Sequence, residues 1–324
     1  MKAVVASGYG SADVLQLRDV DRPHPRPEEV LVKVVATSAT KADVMMRTGK
    51  PFFTRLFLGM RKPKHPIPGT GFAGYVEEIG QQVTKYKIGD RVFGLTTLGF
   101  SANAEFLVIK ESGVLLAMPE NLHFAEAATY GDGHLTSFNF LKKITDVQPG
   151  QSVLINGAAG SLGSAAVQIA KYYGAEVTAV ASGRNASLVK SVGADYFIDY
   201  TQEDFTKSKK KFDLVFDAVG MSSFAAVKSI LKEKGVYLST VMKLPLLLQT
   251  VMTKYFSAKK AVFEATGLNS DQKLREMLAQ VLEIHREGKL KTVIDRQYPL
   301  SRLPEAHRYI DAGHKKGNIV ILIE

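Results

Sequence analysis

The chain has 324 residues, 45% hydrophobic and 23% charged, with a formal net charge of +10. This composition excludes a disordered, collagenous or coiled-coil chain, and the length exceeds one ordinary core, so two domains are expected. Cysteine is absent, which excludes disulfides and thiolate metal sites.

The positive charge lies in short runs: Arg61-Lys62-Pro63-Lys64, residues 207–211, Lys259-Lys260 and Lys315-Lys316. None is interleaved with aromatics as a single-strand platform requires, so the lysines read as solvated surface and no specific nucleic-acid partner is expected. Contact with an acidic membrane surface stays open. The start MKAVVASGYG lacks the basic-then-apolar pattern of a signal peptide. The most apolar later stretch, residues 244–252, contains Pro245 and Gln249 and is too short to cross a bilayer. The expected location is cytoplasmic.

Residues 2–6 and 30–36 have strand patterns, separated by a loop at 22–28 that Pro23, Pro25 and Pro27 enforce. Residues 37–49 read as a loop leading into a short helix. Residues 51–68, aromatic, basic and proline-rich, read as an irregular insertion. Segments 69–80, 86–93, 105–109 and 114–117 add strands, so the first part of the chain is mainly β. Helices follow at 124–129 and 135–144. From residue 152 strands and helices alternate: strands at 152–156, 176–181, 196–198, 212–217 and 235–239, helices up to 173, at 185–191 and at 223–232. Such alternation, with strands apolar enough for burial on both faces, predicts a parallel doubly wound sheet. A strand at 261–264 follows, then an amphipathic helix at 271–286 carrying Leu274, Met277, Leu278, Val281 and Leu282. A strand at 292–294, a helix at 303–312 and a strand at 319–323 close the chain.

The stretch SVLINGAAGSLGSAAVQIAKYY, residues 152–173, organises the rest. A β-prone run is followed by glycines at every third position, Gly157, Gly160 and Gly163, and then by Ala166, Ile169, Ala170 and Tyr173 on one helical face. Strand, glycine turn and helix form an anion site: the backbone approaches a pyrophosphate closely and the helix start offers N–H groups and a positive dipole end. An acid about 20 residues on would bind an adenosine ribose. Here that region is Ser182-Gly183-Arg184-Asn185. A carboxylate would repel a ribose 2′-phosphate and arginine pairs with one, so the site reads as NADP(H) over NAD(H). The seven histidines, at 24, 65, 123, 134, 285, 307 and 314, show no ligand spacing, and no metal site is expected.

Several segments together resemble the zinc-free branch of the medium-chain dehydrogenase/reductase superfamily, the quinone oxidoreductase-like family. They are Pro68-Gly69-Thr70-Gly71-Phe72-Ala73-Gly74, Gly89-Asp90-Arg91-Val92-Phe93-Gly94, Gln148-Pro149-Gly150-Gln151-Ser152-Val153-Leu154-Ile155, the turn at 158–163, Gly193-Ala194-Asp195 with Ile198-Asp199-Tyr200, Phe216-Asp217-Ala218-Val219-Gly220, and residues 313–320. The resemblance implies an α/β protein. A GroES-like β-rich catalytic domain would span residues 1–120 and 265–324, and a Rossmann NADP-binding domain, residues 121–264, would be inserted in it, with the active site between them. Where zinc relatives carry a ligand cysteine three residues before an Asp, this chain has Thr40 before Asp43. Their Gly-His-Glu becomes Gly69-Thr70-Gly71. Zinc is therefore not expected, and Lewis-acid activation is unavailable.

The implied reaction is hydride transfer to an electrophile that needs little activation, a quinone or an α,β-unsaturated carbonyl (enone). By resemblance, Gly157, Ala159, Gly160, Ser161 and Leu162 hold the pyrophosphate. Ser182, Arg184, Asn185 and Tyr200 surround the 2′-phosphate. Thr136 meets the nicotinamide-side phosphate or ribose, Ala218, Val219 and Thr240 line the path between the rings, and Thr40 and Asn318 flank the nicotinamide. Thr40, Asp43 and Arg47 are the catalytic candidates, with Arg47 equally able to pair with Asp43. Phe52, Phe53 and Phe57 either meet a flat ring or lipid-like tail or, the preferred reading, pack onto the domain or a dimer partner. A homodimer or monomer is expected. The alternative function is an NADPH-binding regulatory or RNA-binding protein on the same fold with little catalysis.

Overall fold

The computed structural model describes residues 1–313 and 315–323, and their side chains apart from that of Phe53. It divides into two compact units. The first is Met1–Asp132, Gly267–Ala279 and Ile294–Glu324; the second is Gly133–Thr266 and Gln280–Val293. Relative to the expected boundaries, residues 121–132 go with the first unit and residues 265, 266 and 280–293 with the second.

In the first unit β1 (Lys2–Ala6) and β2 (Leu15–Asp19) form an antiparallel pair. β3 (Glu29–Ala39) is longer than its sequence pattern, continuing through Thr37 and Ser38, whose polar groups the apolar pattern could not reveal. It pairs antiparallel along one edge with β4 (Gly71–Ile79), which pairs with β5 (Arg91–Leu95). The start of β3 pairs on its other edge with β6 (Phe106–Lys110), and β5 pairs with β7 (Val114–Ala117). Val30, Val32, Phe72, Val92 and Leu115 meet in the core of this sheet.

The second unit is one six-stranded parallel sheet. Its strands are β8 (Ser152–Asn156), β9 (Glu176–Ala181), β10 (Tyr196–Asp199), β11 (Phe212–Asp217), β12 (Leu231–Ser239) and β13 (Lys260–Phe263). The order is β10-β9-β8-β11-β12-β13. Every residue of β8 is buried, as a central strand covered on both faces requires. The order reverses between β8 and β11, and doubly wound sheets bind ligands outside the carboxyl ends of such a pair.

Two elements of the second unit differ from the sequence reading. The helix expected at 223–232 is a single turn, Phe224–Val227, because Leu231 is already paired with Phe212 in the sheet. The stretch around Pro245 is a 13-residue helix, Leu244–Phe256. Its proline falls in the first turn, where a missing N–H costs nothing.

The chain then returns to the first unit. β14 (Ile294–Pro299) pairs in parallel with β15 (Asn318–Leu322), and β15 pairs antiparallel with residues 36–39 of β3.

Candidate cofactor and substrate site

The turn after β8 uses its three glycines differently. Gly157 has φ +80, and a Cβ there would stand 2.4 Å from Val219 Cγ1. At Gly163 a Cβ would collide with the Gly157 carbonyl oxygen at 2.1 Å, so this glycine lets the helix pack on the turn. Gly160 has neither reason. Its backbone is extended (φ −79), and a Cβ would meet only the Gly157 carbonyl at an ordinary 3.4 Å. It is the N-cap of the 12-residue helix Ser161–Tyr172 and has no side chain to bond the first turn. A helix start whose N-cap carries no side chain is the kind of place where a phosphate can bind. Ala159 and Ser161 are buried beside it.

At the ends of β9 and β10, Asn185 Nδ2 donates to Ser182 Oγ at 3.2 Å. Arg184 is exposed and in no ion pair among the described residues, and Tyr200 is 57% exposed. Asp199 also lies here; a Cβ on Gly183 would stand 2.4 Å from its Oδ2. Its Oδ1 accepts from the Thr201 hydroxyl at 2.7 Å and the Thr201 N–H at 3.0 Å. These bonds hold its carboxyl below the usual range.

At the switch point Asp217, the last residue of β11, is fully buried. Its Oδ1 accepts from Asn156 Nδ2 and from Gly220 N, both at 2.9 Å. Its Oδ2 accepts from Ser222 N at 2.8 Å and the Tyr237 hydroxyl at 3.0 Å. The carboxylate thereby fixes the loop carrying Ala218 and Val219, and Ala218 N also donates to Asn156 O at 3.1 Å. Sequence reasoning gave Asp217 no role, although its place directly before Ala218-Val219-Gly220 at a strand end was visible. Thr240 follows β12 directly, and Thr136 neighbours Ser137, whose hydroxyl donates to Leu162 O at 2.8 Å. The sequence-derived residues at 157–162, 182–185, 200, 218, 219 and 240 thus gather at the carboxyl edge of one sheet.

In the first unit Thr40 is the N-cap of the helix Lys41–Thr48, in a capping box with Asp43. The Thr40 hydroxyl and N–H donate to Asp43 Oδ2 at 2.7 and 2.8 Å. Burial pushes the Asp43 carboxyl up to about 6, against the lowering effect of these bonds, and nearby Asp132 adds to the rise. The antiparallel register sets Ile319 opposite Ala39 and so brings Asn318 beside Thr40. Lys315 donates to Gly317 O at 2.8 Å; desolvation lowers its ammonium, with Asp132 opposing.

Arg47 does not pair with Asp43. Its guanidinium is buried and bonds Asp311 at 2.8 Å from the helix Leu303–Asp311. It lines a small cavity of about 30 Å³ with Ala6, Leu15, Leu58 and Phe100. Thr40 and Asn318 come together; Arg47 is committed elsewhere. Of the aromatic cluster, Phe52 and Phe57 are 66% and 75% exposed, so neither is packed onto this domain; Arg55 lies 5.1 Å from the Phe52 ring. The Phe53 side chain and His314 lie outside the described residues.

A family model for the alcohol dehydrogenase GroES-like domain matches residues 26–120, and one for zinc-binding dehydrogenase matches residues 192–321. A 2-methylene-furan-3-one reductase of Solanum lycopersicum is 35% identical, over 99% of this chain and 79% of its own. The chain belongs to the quinone oxidoreductase-like family of medium-chain dehydrogenases/reductases. An NADPH-dependent alkenal/one oxidoreductase of Arabidopsis thaliana is 33% identical to this quinone oxidoreductase-like chain, with the same coverage. The solved quinone oxidoreductase of Coxiella burnetii superposes with a TM-score of 0.86 at 28% identity, covering 100% of this chain and 99% of that one. In this quinone oxidoreductase-like family member the first unit is therefore GroES-like and the second is of the Rossmann type.

Proposed function

We propose that this protein is a zinc-independent oxidoreductase that uses NADPH to reduce a quinone or an α,β-unsaturated carbonyl. One observation carries the cofactor choice: Arg184 is exposed, free of any carboxylate partner among the described residues, and next to Ser182 on the turn where an NAD-specific sheet needs an acid. The names of the Solanum and Arabidopsis relatives support an enone-type substrate, and that of the Coxiella structure a quinone.

In this reading Gly157, Ala159, Gly160, Ser161 and Leu162 hold the pyrophosphate. Arg184, with Ser182, Asn185 and Tyr200, holds the 2′-phosphate, while Asp217 keeps Ala218 and Val219 in place. Thr136 and Thr240 complete the nucleotide path, and Thr40 and Asn318 flank the nicotinamide. When bound, NADPH supplies the hydride. Asp43 acts through Thr40, holding the helix start, and Arg47 anchors that same helix to Asp311; both are positioning residues. Thr40 and Thr70 replace the cysteine and histidine of zinc relatives, and no group of three or more potential ligands occurs among the described residues. Substrates that need no Lewis acid follow from that ligand set. The protein works in the cytoplasm as a monomer or homodimer.

The test is steady-state oxidation of NADPH and NADH by the purified protein across a panel of quinones, enals and enones, with EDTA present. Turnover with NADPH preferred is expected. Loss of activity with EDTA, or failure to bind NADPH, overturns the reading; salt-sensitive RNA binding that competes with NADPH, without turnover, would replace it with a regulatory one.

A further inference from the structure

The helix Leu244–Phe256 closes the open edge of the parallel sheet. Among the described residues β13 pairs only with β12, so the N–H groups of Ala261 and Phe263 point outward. They donate to Thr253 Oγ1 at 2.9 Å and Thr250 Oγ1 at 3.2 Å, two hydroxyls one turn apart on the helix. Leu246, one turn before Thr250, is buried on the same side. This edge is thereby shielded from adding a strand of another chain.

The opposite side of the helix is apolar and bare. Leu244, Leu248, Val251, Met252 and Tyr255 are 70%, 58%, 62%, 61% and 69% exposed. Their spacing of four, three, one and three residues makes one continuous stripe along 13 residues. A contiguous stripe of this kind marks a surface that is covered in use.

Charge decides by what. From residue 221 to residue 263 the sequence has seven lysines (228, 232, 234, 243, 254, 259 and 260) and one acid, Glu233. Among the described residues only Lys232 of these is in an ion pair, with Asp213; Lys259 and Lys260 donate to backbone carbonyls. A second copy laid on the stripe would bring one lysine field against another. An anionic lipid surface complements both the apolar stripe and the lysines at its ends, Lys243 at the helix start, Lys254 in the last turn, and Lys259 and Lys260 just after it. No helix of the described residues is long and apolar enough to cross a membrane, so the contact is one of lying on the surface.

We propose that the Leu244–Phe256 helix docks this protein on anionic membranes, inserting Leu248, Val251, Met252 and Tyr255 between headgroups with the flanking lysines against lipid phosphates or carboxylates.

The experiment is co-sedimentation of the full chain with phosphatidylcholine vesicles and with vesicles containing phosphatidylglycerol, at low and high salt. Binding to the anionic vesicles at least about tenfold stronger than to the neutral ones, falling as salt rises, is expected. A Leu248→Asp/Met252→Asp variant should lose that binding by at least about tenfold, and Lys254→Glu/Lys259→Glu should weaken it. Leu248, Met252 and Lys254 are exposed, and Lys259 is half-buried with a bond to the Lys228 carbonyl, so the circular dichroism spectrum and quinone turnover should be unchanged. Equal binding to both vesicle types, or none, overturns the proposal. So does a dimer in solution that Leu248→Asp/Met252→Asp splits without any change in lipid binding, which would make the stripe a subunit interface.

Discussion

Asn156 and Asp217 end adjacent parallel strands and are joined by a 2.9 Å hydrogen bond across the point where the sheet reverses its order. The bond is one of four that converge on the Asp217 carboxylate, and the others come from Gly220, Ser222 and Tyr237. All four partners are used as donors, so a buried carboxylate is the acceptor that suits them. Asp217→Ala leaves several buried donors unpaired and should destabilise the protein by about 3 kcal/mol or more. Asp217→Asn keeps the shape but turns an amide N–H toward donors, at a cost of about 1–3 kcal/mol. Chemical denaturation gives the ranking. If Asp217→Ala is as stable as wild type, Asp217 is not what holds this loop.

The glycine turn offers a sharper separation of folding from binding. Gly163→Ala drives a Cβ into the Gly157 carbonyl and should cost about 3 kcal/mol of stability. Gly160→Ala meets only an ordinary 3.4 Å contact and should change stability by less than about 1 kcal/mol. It should nevertheless weaken NADPH binding roughly tenfold, by standing over the helix start. Calorimetric NADPH titration beside thermal melts checks both; normal NADPH affinity in Gly160→Ala would move the pyrophosphate elsewhere.

Arg184→Ala should raise the Michaelis constant for NADPH about 10- to 100-fold, the worth of one or two charge-assisted bonds to phosphate. The constant for NADH should stay within about twofold, since NADH has no phosphate for the residue to meet. Steady-state kinetics with both cofactors decides, and equal losses for the two would remove Arg184 from the phosphate site.

Two buried groups give opposite pH dependences of stability. His307 is fully buried, and burial together with the Arg47 charge lowers its ring to about 4 from 6.5. The unfolded chain takes up that proton first, so His307 costs stability as pH falls from about 6.5 toward 4. Asp43 is raised to about 6 from 3.8, so the folded state holds its proton longer and stability is lost as pH rises through that window. Over this range the two slopes offset one another. Relative to wild type, Asp43→Asn should gain stability as pH rises from 4 to 6, while His307→Leu should gain as pH falls through the same window. Urea denaturation at a series of pH values measures both differences, and parallel wild-type and variant curves would contradict the assignment.

Much of the second unit was legible because its signals are local. β8, the glycine turn and the helix after it follow from residues within a few positions of one another, and strand–helix alternation gives the parallel sheet. The first unit was harder. β2 buries only Leu15 of its five residues, so its sequence has little apolar alternation to read. The Leu244–Phe256 helix was hidden by Pro245, a breaker everywhere except the first turn. The Arg47–Asp311 pair joins residues far apart in the chain, and no spacing rule foresees it, whereas Asp43 one turn away was the obvious local partner. Asp217 was quoted only as part of a motif because a single acid at a strand end says nothing of the donors that later turns bring to it.

The pairing of β15 with β3 bears on how the chain is made. During synthesis the strands of residues 152–263 can pair among themselves as soon as they emerge, since their partners lie nearby in sequence. The upper half of β3 must wait for a partner that is translated only after the whole of the second unit. On the ribosome the first unit therefore begins before the second and is completed after it. Until residues 318–322 arrive, that stretch of β3 offers an unpaired edge of Thr37, Ser38 and Ala39, with two polar side chains in place of a run of sticky aliphatics.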